Sequence, residues 1–259
     1  MPVTREPDDS SKQLAQRVGA TASLCEVAST EQLSTSIYQV ALRGNAATLA
    51  GTPGNDVMIR LEDAKGRHVR RRYSVRDLDV AADEFTLWIT IDHEGPGSVW
   101  VKKAQPGDLV DVIGPRGKIP LDPSADWHLF VGDASGLAAF YRMAQSIEVP
   151  SRAIFIVEID ADDDALSAPF DEGLDVTGIF IDRQQRSTSD PLGLLRGLAA
   201  FALPPGAGHA YLFGEFHVMR VLQSSLLDRG LEPEQISHKA FWRSGQSNAE
   251  HGEPDKLED

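Results

Sequence analysis

One cysteine stands in the whole chain of 259 residues, Cys25, so no internal disulfide can form. That fits a reducing compartment, and a lone thiol in an apolar-alternating stretch reads as core packing. No window holds 18 unbroken apolar residues, so no membrane span is expected. The polar start, Met1–Lys12, lacks the apolar run of a signal peptide. Positive charge is scarce: 25 Lys and Arg stand against 39 Asp and Glu, a net charge of −14, which argues against a general nucleic-acid binder. The acidic runs Asp160–Asp164 and Glu250–Asp259 read as solvated surface. Catalytic signatures are missing too. There is no His-Glu-x-x-His and no kinase set, and Ser244-Gly245-Gln246-Ser247 lacks the frame of a nucleophile elbow. No His or Cys partners His93 at metal-ligand spacing, so no metal site is expected. The expectation from these absences is a cytoplasmic, soluble protein without nucleic-acid or membrane partners; a monomer is expected, though nothing in the sequence fixes the oligomeric state.

What is present is an ordinary globular composition, 41% hydrophobic with 22 glycines and 15 prolines as punctuation. The length suggests two domains. Residues 1–18 read as a flexible leader. From about Thr21 the pattern is period two: Tyr38, Val40 and Leu42; Val57, Ile59 and Leu61; Phe85, Leu87, Ile89 and Ile91. Such strands bury one face, as in an antiparallel barrel or sandwich. The pattern changes near Asp122-Pro123-Ser124. Beyond it come short apolar runs at Leu129–Val131, Ala153–Val157, Ile179–Ile181 and Tyr211–Phe213, which suit strands buried on both faces. Helical periods lie between them, over Ser135–Ile147 and Phe216–Asp228, with Gly230 as a C-terminal cap. The expected fold is an N-terminal antiparallel β-barrel over 19–122 and a C-terminal α/β doubly wound domain over 123–245. An acidic flexible tail follows over 246–259. Ligands of such a sheet sit at the carboxyl ends of its strands.

Arg70–Arg76 is the sharpest local feature. Its arginines, Arg71 and Arg76 among them, can grip phosphate. Tyr73 can pack on a planar heterocycle, and Ser74 can meet a ring nitrogen. The same residues would also protect an edge strand, and the segment alone supports both readings equally. In His93-Glu94-Gly95-Pro96-Gly97-Ser98-Val99-Trp100, small residues lead into a short helix, Ser98–Ala104. Ser98 suits an N-cap, and the helix start suits an anion. Between a strand and a helix lies Gly132-Asp133-Ala134-Ser135-Gly136. It allows close backbone approach but carries no dinucleotide fingerprint. Phe241-Trp242-Arg243 could pack in the core or shield a ring.

Taken together, these segments resemble the siderophore-interacting protein family, FAD-binding relatives of the ferredoxin reductase fold. Arg71-Arg72-Tyr73-Ser74 is similar to its R-x-Y-[ST] motif. Gly95-Pro96-Gly97-Ser98-Val99-Trp100, Ala104-Gln105-Pro106-Gly107-Asp108 and Gly114-Pro115-Arg116-Gly117 are similar to its G-P-A-S-x-W, A-x-P-G-D and G-P-R-G series. Phe241-Trp242-Arg243-Ser244-Gly245 is similar to its Y-W-R-x-G. The resemblance implies that Arg71 contacts the FAD phosphate and that Tyr73 and Ser74 contact the isoalloxazine and ribityl part. It also implies that Gly97 and Ser98 approach the pyrophosphate. Val75, Arg76, His93, Trp100, Asp133, Ser135 and Trp242 complete the expected cofactor contacts. The family's G-D-E-T-A-L-P-A turn reads Gly132-Asp133-Ala134-Ser135-Gly136-Leu137-Ala138-Ala139 here, without the glutamate or the proline, which leaves the electron donor open.

The implied activity is reduction of a ferric siderophore, with NAD(P)H or ferredoxin as donor. Flavin chemistry needs no protein acid or base, so no catalytic side chain is expected. Arg60, Arg67, Lys102, Lys103 and Arg243 would steer the anionic chelate, although ordinary surface cations look the same in sequence. Two other readings stand beside this one. A general flavin oxidoreductase with another acceptor would separate in a donor–acceptor screen. A siderophore- or flavin-binding module without turnover would keep flavin that no donor bleaches.

Overall fold

The computed structural model describes residues 6–91, 95–117, 119–166 and 170–245. The acidic tail 246–259 lies outside the described residues. The chain divides into two compact units, Met1–Pro120 and Leu121–Asp259. Among the described residues, no helix is long and apolar enough to cross a membrane.

The first unit opens with α1 (Asp9–Val18), then β1 (Thr21–Gln32), β2 (Ile37–Arg43), α2 (Ala46–Leu49), β3 (Asp56–Glu62) and β4 (His68–Asp79). β5 (Glu84–Thr90), α3 (Pro96–Val101) and β6 (Leu109–Arg116) complete it. The strands close in the order β1-β2-β5-β4-β3-β6, each pair antiparallel. Period-two alternation has the expected outcome along β5, where Phe85, Leu87 and Ile89 are buried and the residues between them are half-buried. Val57, Ile59, Val75, Leu87 and Val112 meet inside the barrel with Cys25. Burial pushes the Cys25 thiol up to about 12, so it packs as a small hydrophobe.

Of the stretch 1–18 expected as a flexible leader, residues 1–5 lie outside the described residues and Asp9–Val18 forms a helix. Asp8 caps it by accepting from Ser10 N at 2.9 Å, and Gly19 ends it in the left-handed region at φ 67°. Leu14 and Ala15 pack on Met58 and Ile113, outward-facing residues of β3 and β6. This contact also explains why β3 is buried on both faces.

The second unit is a parallel sheet of β7 (Trp127–Asp133), β8 (Arg152–Ile159), β9 (Asp175–Asp182), β10 (Gly208–Glu215) and β11 (Ile236–Trp242). Its strand order is β11-β10-β7-β8-β9. Helices α4 (Leu137–Ala144), α5 (Leu192–Ala200) and α6 (Phe216–Asp228) run between the strands. The chain moves from β7 outward to β9, then returns to the other side of β7 at β10. The carboxyl ends of β7 and β10 therefore form the switch point where such sheets bind ligands. The helix expected over Ser135–Ile147 is shorter: a 3₁₀ turn occupies Ala134–Gly136 and the α-helix ends at Ala144. The acidic run Asp160–Asp164 is only partly solvated. Asp164 is fully buried, with its carboxylate accepting from Ala161 N at 3.1 Å, and Asp160 pairs with Arg183 at 2.7 Å.

Candidate functional site

In the first unit the candidate site centres on β4. β4 lies between β3 and β5, but its pairing with β5 begins at Val75; over Arg70–Ser74 it pairs with β3 alone, so the edge-protection reading stands beside the ligand one for these residues. Alternation divides its side chains. Tyr73 packs against the barrel core and Val75 lies within it, whereas Arg72 is exposed and Arg71 half-buried. Arg71 Nη1 donates to the Arg70 carbonyl at 2.9 Å. Burial lowers the Arg71 pKa. Burial also raises the Tyr73 hydroxyl, so Tyr73 is a neutral hydrogen-bonding group at any physiological pH. Ser74 is buried. A bulge interrupts the pairing between Val75 and Asp77, and Arg76 between them is buried. There its guanidinium lies 4.9 Å from the Trp88 ring centroid and bonds Asp77 at 3.0 Å.

α3 is brought against this strand. Gly97 faces Tyr73 so closely that a Cβ there would overlap the phenol oxygen. Ser98 does not cap the helix. Gly95 holds the N-cap position, and the Ser98 hydroxyl donates to the Thr90 carbonyl at 3.1 Å, pinning α3 to β5. Trp100 packs on the barrel core. The helix is also shorter than expected, ending at Val101, which leaves Lys102 and Lys103 exposed beyond it. His93 lies outside the described residues.

Arg60 and Arg67 do not stand free to meet a chelate. Arg60 faces Asp8 at 3.5 Å and Asp111 at 4.0 Å, and Arg67 pairs with Asp63 at 2.7 Å. The motif series gave no sign of Asp8 and Asp111, which lie far from Arg60 in sequence.

In the second unit the structure gathers Asp133, Ser135 and Trp242 at the switch point. Asp133 is buried, and both its oxygens are already used. Oδ1 accepts from Ser135 N at 2.9 Å and from the Ser135 hydroxyl; Oδ2 accepts from Trp242 Nε1 at 3.0 Å and Glu215 N at 3.1 Å. Burial raises its carboxyl pKa against the lowering effect of these donors and of Arg183. Asp133 thus organises the turn, and the expected direct cofactor contact would compete with four protein donors. Gly132 leaves no room for a side chain, since a Cβ would overlap the Phe213 carbonyl of β10. Glu215, in the segment Phe213-Gly214-Glu215 that sequence places at a strand end before a helix, is 2% exposed. It caps α6 through Val218 N at 3.0 Å and ties down Ser244 N at 3.1 Å. Arg243 is exposed, with its guanidinium 4.7 Å from the Phe216 ring centroid, and lines an open groove of about 660 Å³ with His217 and Arg220.

A second cluster, unannounced in the sequence, lies at the ends of β8 and β9. Glu158 is 3% exposed and receives Arg183 at 3.0 Å and Arg186 at 2.8 Å. Among the described residues, no group of three or more His, Cys, Asp or Glu is arranged to hold a metal ion.

The residues of β4 and α3 fit a flavin nucleotide by their chemistry. A half-buried guanidinium, a neutral phenol, a buried hydroxyl and a glycine close against that phenol offer phosphate donors beside a flat apolar surface.

Comparison with known proteins finds matches in both units. Residues 45–119 match the siderophore-interacting FAD-binding domain, and residues 125–245 match the siderophore-interacting protein family. An uncharacterized protein of Mycobacterium tuberculosis is 26% identical over 186 residues, covering 68% of this chain; the chain spans 66% of that relative's length. Ferric vibriobactin reductase of Vibrio cholerae is 25% identical over 189 residues, 71% of this chain and 68% of the relative. A siderophore utilization protein from T. fusca superposes with a TM-score of 0.79 at 25% identity, covering 90% of this chain and 96% of that one. The siderophore-interacting protein from Acinetobacter baumannii shares the fold at 20% identity, with a TM-score of 0.75 over 88% of this chain and 93% of that one. With a barrel that carries the flavin-type strand and a parallel sheet that carries the Asp133 turn, the chain belongs to the siderophore-interacting protein family.

Proposed function

We propose that this protein is an FAD-dependent reductase that converts the Fe(III) of a siderophore to Fe(II), with NAD(P)H or ferredoxin as electron donor. The observation that carries the reading is the pairing of Tyr73 with Gly97. It brings the R-x-Y-S strand and the glycine-led helix together inside the segment that matches an FAD-binding domain. Arg71 would hold phosphate, Tyr73 and Ser74 would orient the ring system, and Trp100 would keep α3 seated on the barrel. FAD, when bound, supplies a two-electron acceptor that can release electrons one at a time, the number each Fe(III) takes. The protein's own work is positioning and exclusion of water; no side chain needs to move a proton at the iron. Lys102 and Lys103, exposed after α3, supply positive charge for an anionic chelate on a chain that is otherwise acidic. Similarity to ferric vibriobactin reductase supports the choice of acceptor.

The test is purified protein with FAD, NADH or NADPH, or reduced ferredoxin, a ferric siderophore and a ferrous-trapping dye. Dye colour that requires protein and donor is expected. Bound flavin without dye colour under any donor would leave a binding protein rather than a reductase.

A further inference from the structure

Helix α1 reaches the candidate flavin strand through charge. Arg60 on β3 and Arg70 on β4 are directly opposed in the antiparallel register, and like charges in that relation weaken a strand pair. Three groups near the start of the chain, with one on β6, answer this pair. Asp8 faces the Arg60 guanidinium at 3.5 Å, and the Ser10 hydroxyl accepts from Arg70 Nη2 at 3.0 Å. Asp111 of β6 lies 4.0 Å from Arg60 and is itself fixed by the Ser11 hydroxyl at 2.8 Å and by Asp8 N at 3.1 Å. The Nε groups of both arginines are buried without an acceptor among the described residues, so the cluster has no acceptor to spare. Two guanidiniums and two carboxylates balance; without Asp8 one positive charge is left over.

The consequence passes along β4. The Arg70 carbonyl accepts from Arg71 Nη1 at 2.9 Å. The backbone of the residue that α1 steadies therefore aims the guanidinium assigned to the flavin phosphate. We infer that Asp8 and Ser10 are positioning residues for cofactor binding: by neutralising the Arg60–Arg70 pair they hold β4 in the geometry from which Arg71 grips FAD. This rests on the flavin reading of β4. It gives α1 a role beyond covering Met58 and Ile113 with Leu14 and Ala15.

The test measures FAD affinity by quenching of flavin fluorescence, with thermal unfolding of the flavin-free protein alongside. Asp8→Asn should weaken FAD binding by about threefold to fivefold, the upper end of the scale of a partly exposed ion pair. Ser10→Ala should weaken it by less. The deciding variant is Asp8→Asn with Arg60→Met, which restores the charge balance and should return the affinity to within about twofold of the parent. A merely structural helix would give the opposite result: the second substitution would lower thermal stability further and rescue nothing. Unchanged FAD affinity in Asp8→Asn, or no rescue by Arg60→Met, overturns the inference. A parent protein that binds no FAD at all would instead remove the flavin reading on which it rests.

Discussion

The indole N–H of Trp242 donates to Asp133 Oδ2 across 3.0 Å, which ties the end of β11 to the turn after β7. Asp133→Ala would leave Trp242 Nε1, Glu215 N and Ser135 N without their acceptor. A buried donor left unsatisfied costs about 1–3 kcal/mol, so a loss of about 3 kcal/mol or more is expected in urea unfolding of the second unit. A shift in tryptophan emission in the folded state should accompany it. Unchanged emission would mean that Trp242 keeps its place without Asp133.

Gly97→Ala would drive a methyl group into the Tyr73 hydroxyl. Overpacking of this kind costs about 1–3 kcal/mol, here on the surface that FAD is proposed to meet. Purified Gly97→Ala should therefore retain roughly a tenth or less of the parent's flavin, read as visible absorbance per protein. Adding Tyr73→Phe removes the clashing oxygen and should recover part of the loss. Full flavin content in Gly97→Ala would contradict the proposed site.

Acid should weaken the second unit. Burial, with a smaller contribution from His209, holds the His128 pKa down at about 4, and burial also lowers His209 and His238. A depressed histidine pKa means that the unfolded chain takes up protons first. The stability of neutral His128 is thus complete above about pH 6.5 and drains away as pH falls from there toward 4. On the order of 3 kcal/mol is lost by pH 4 from this residue, while Asp133, raised by burial, titrates in the opposite sense. Denaturant midpoints at pH 7.5 and 4.5 should separate clearly in the parent. They should separate less in His128→Phe, which keeps the ring stack with Phe130 and Tyr211.

Glu158→Ala would strip two guanidiniums of their shared carboxylate, leaving Arg183 its ion pair with Asp160. Breaking a buried pair from one side costs about 3–5 kcal/mol. The expected outcome is a cooperative unfolding transition displaced by that amount, measured by circular dichroism in urea. A shift below about 1 kcal/mol would show that solvent replaces Glu158.

Strands with one regular contrast were legible in the sequence. β5 announced itself through Phe85, Leu87 and Ile89, and β7, β8 and β10 through apolar runs that end up buried on both sides. α1 was not legible, because its contact with the barrel uses Leu14 and the small Ala15, too little apolar surface to make a stripe. α5 was not singled out either. The Arg71, Tyr73 and Gly97 grouping was readable as three motif pieces, and the fold supplied their meeting. Networks such as Arg60 with Asp8 and Asp111, or Glu158 with Arg183, join residues whose sequence neighbours carry no trace of the partner. A charged side chain looks alike in sequence whether it ends in water or against an opposite charge.

Barrel closure depends on β1 meeting β6, with Thr21 opposite Gly114 and Glu26 opposite Leu109. During synthesis, then, β1 waits with one edge unpaired until nearly the whole first unit has emerged. Until that moment its N–H and C=O groups remain open to any other strand, in the same chain or the next. The step that completes the proposed flavin domain is the most non-local strand pairing it makes, and for this reason it should limit both the rate and the yield of folding.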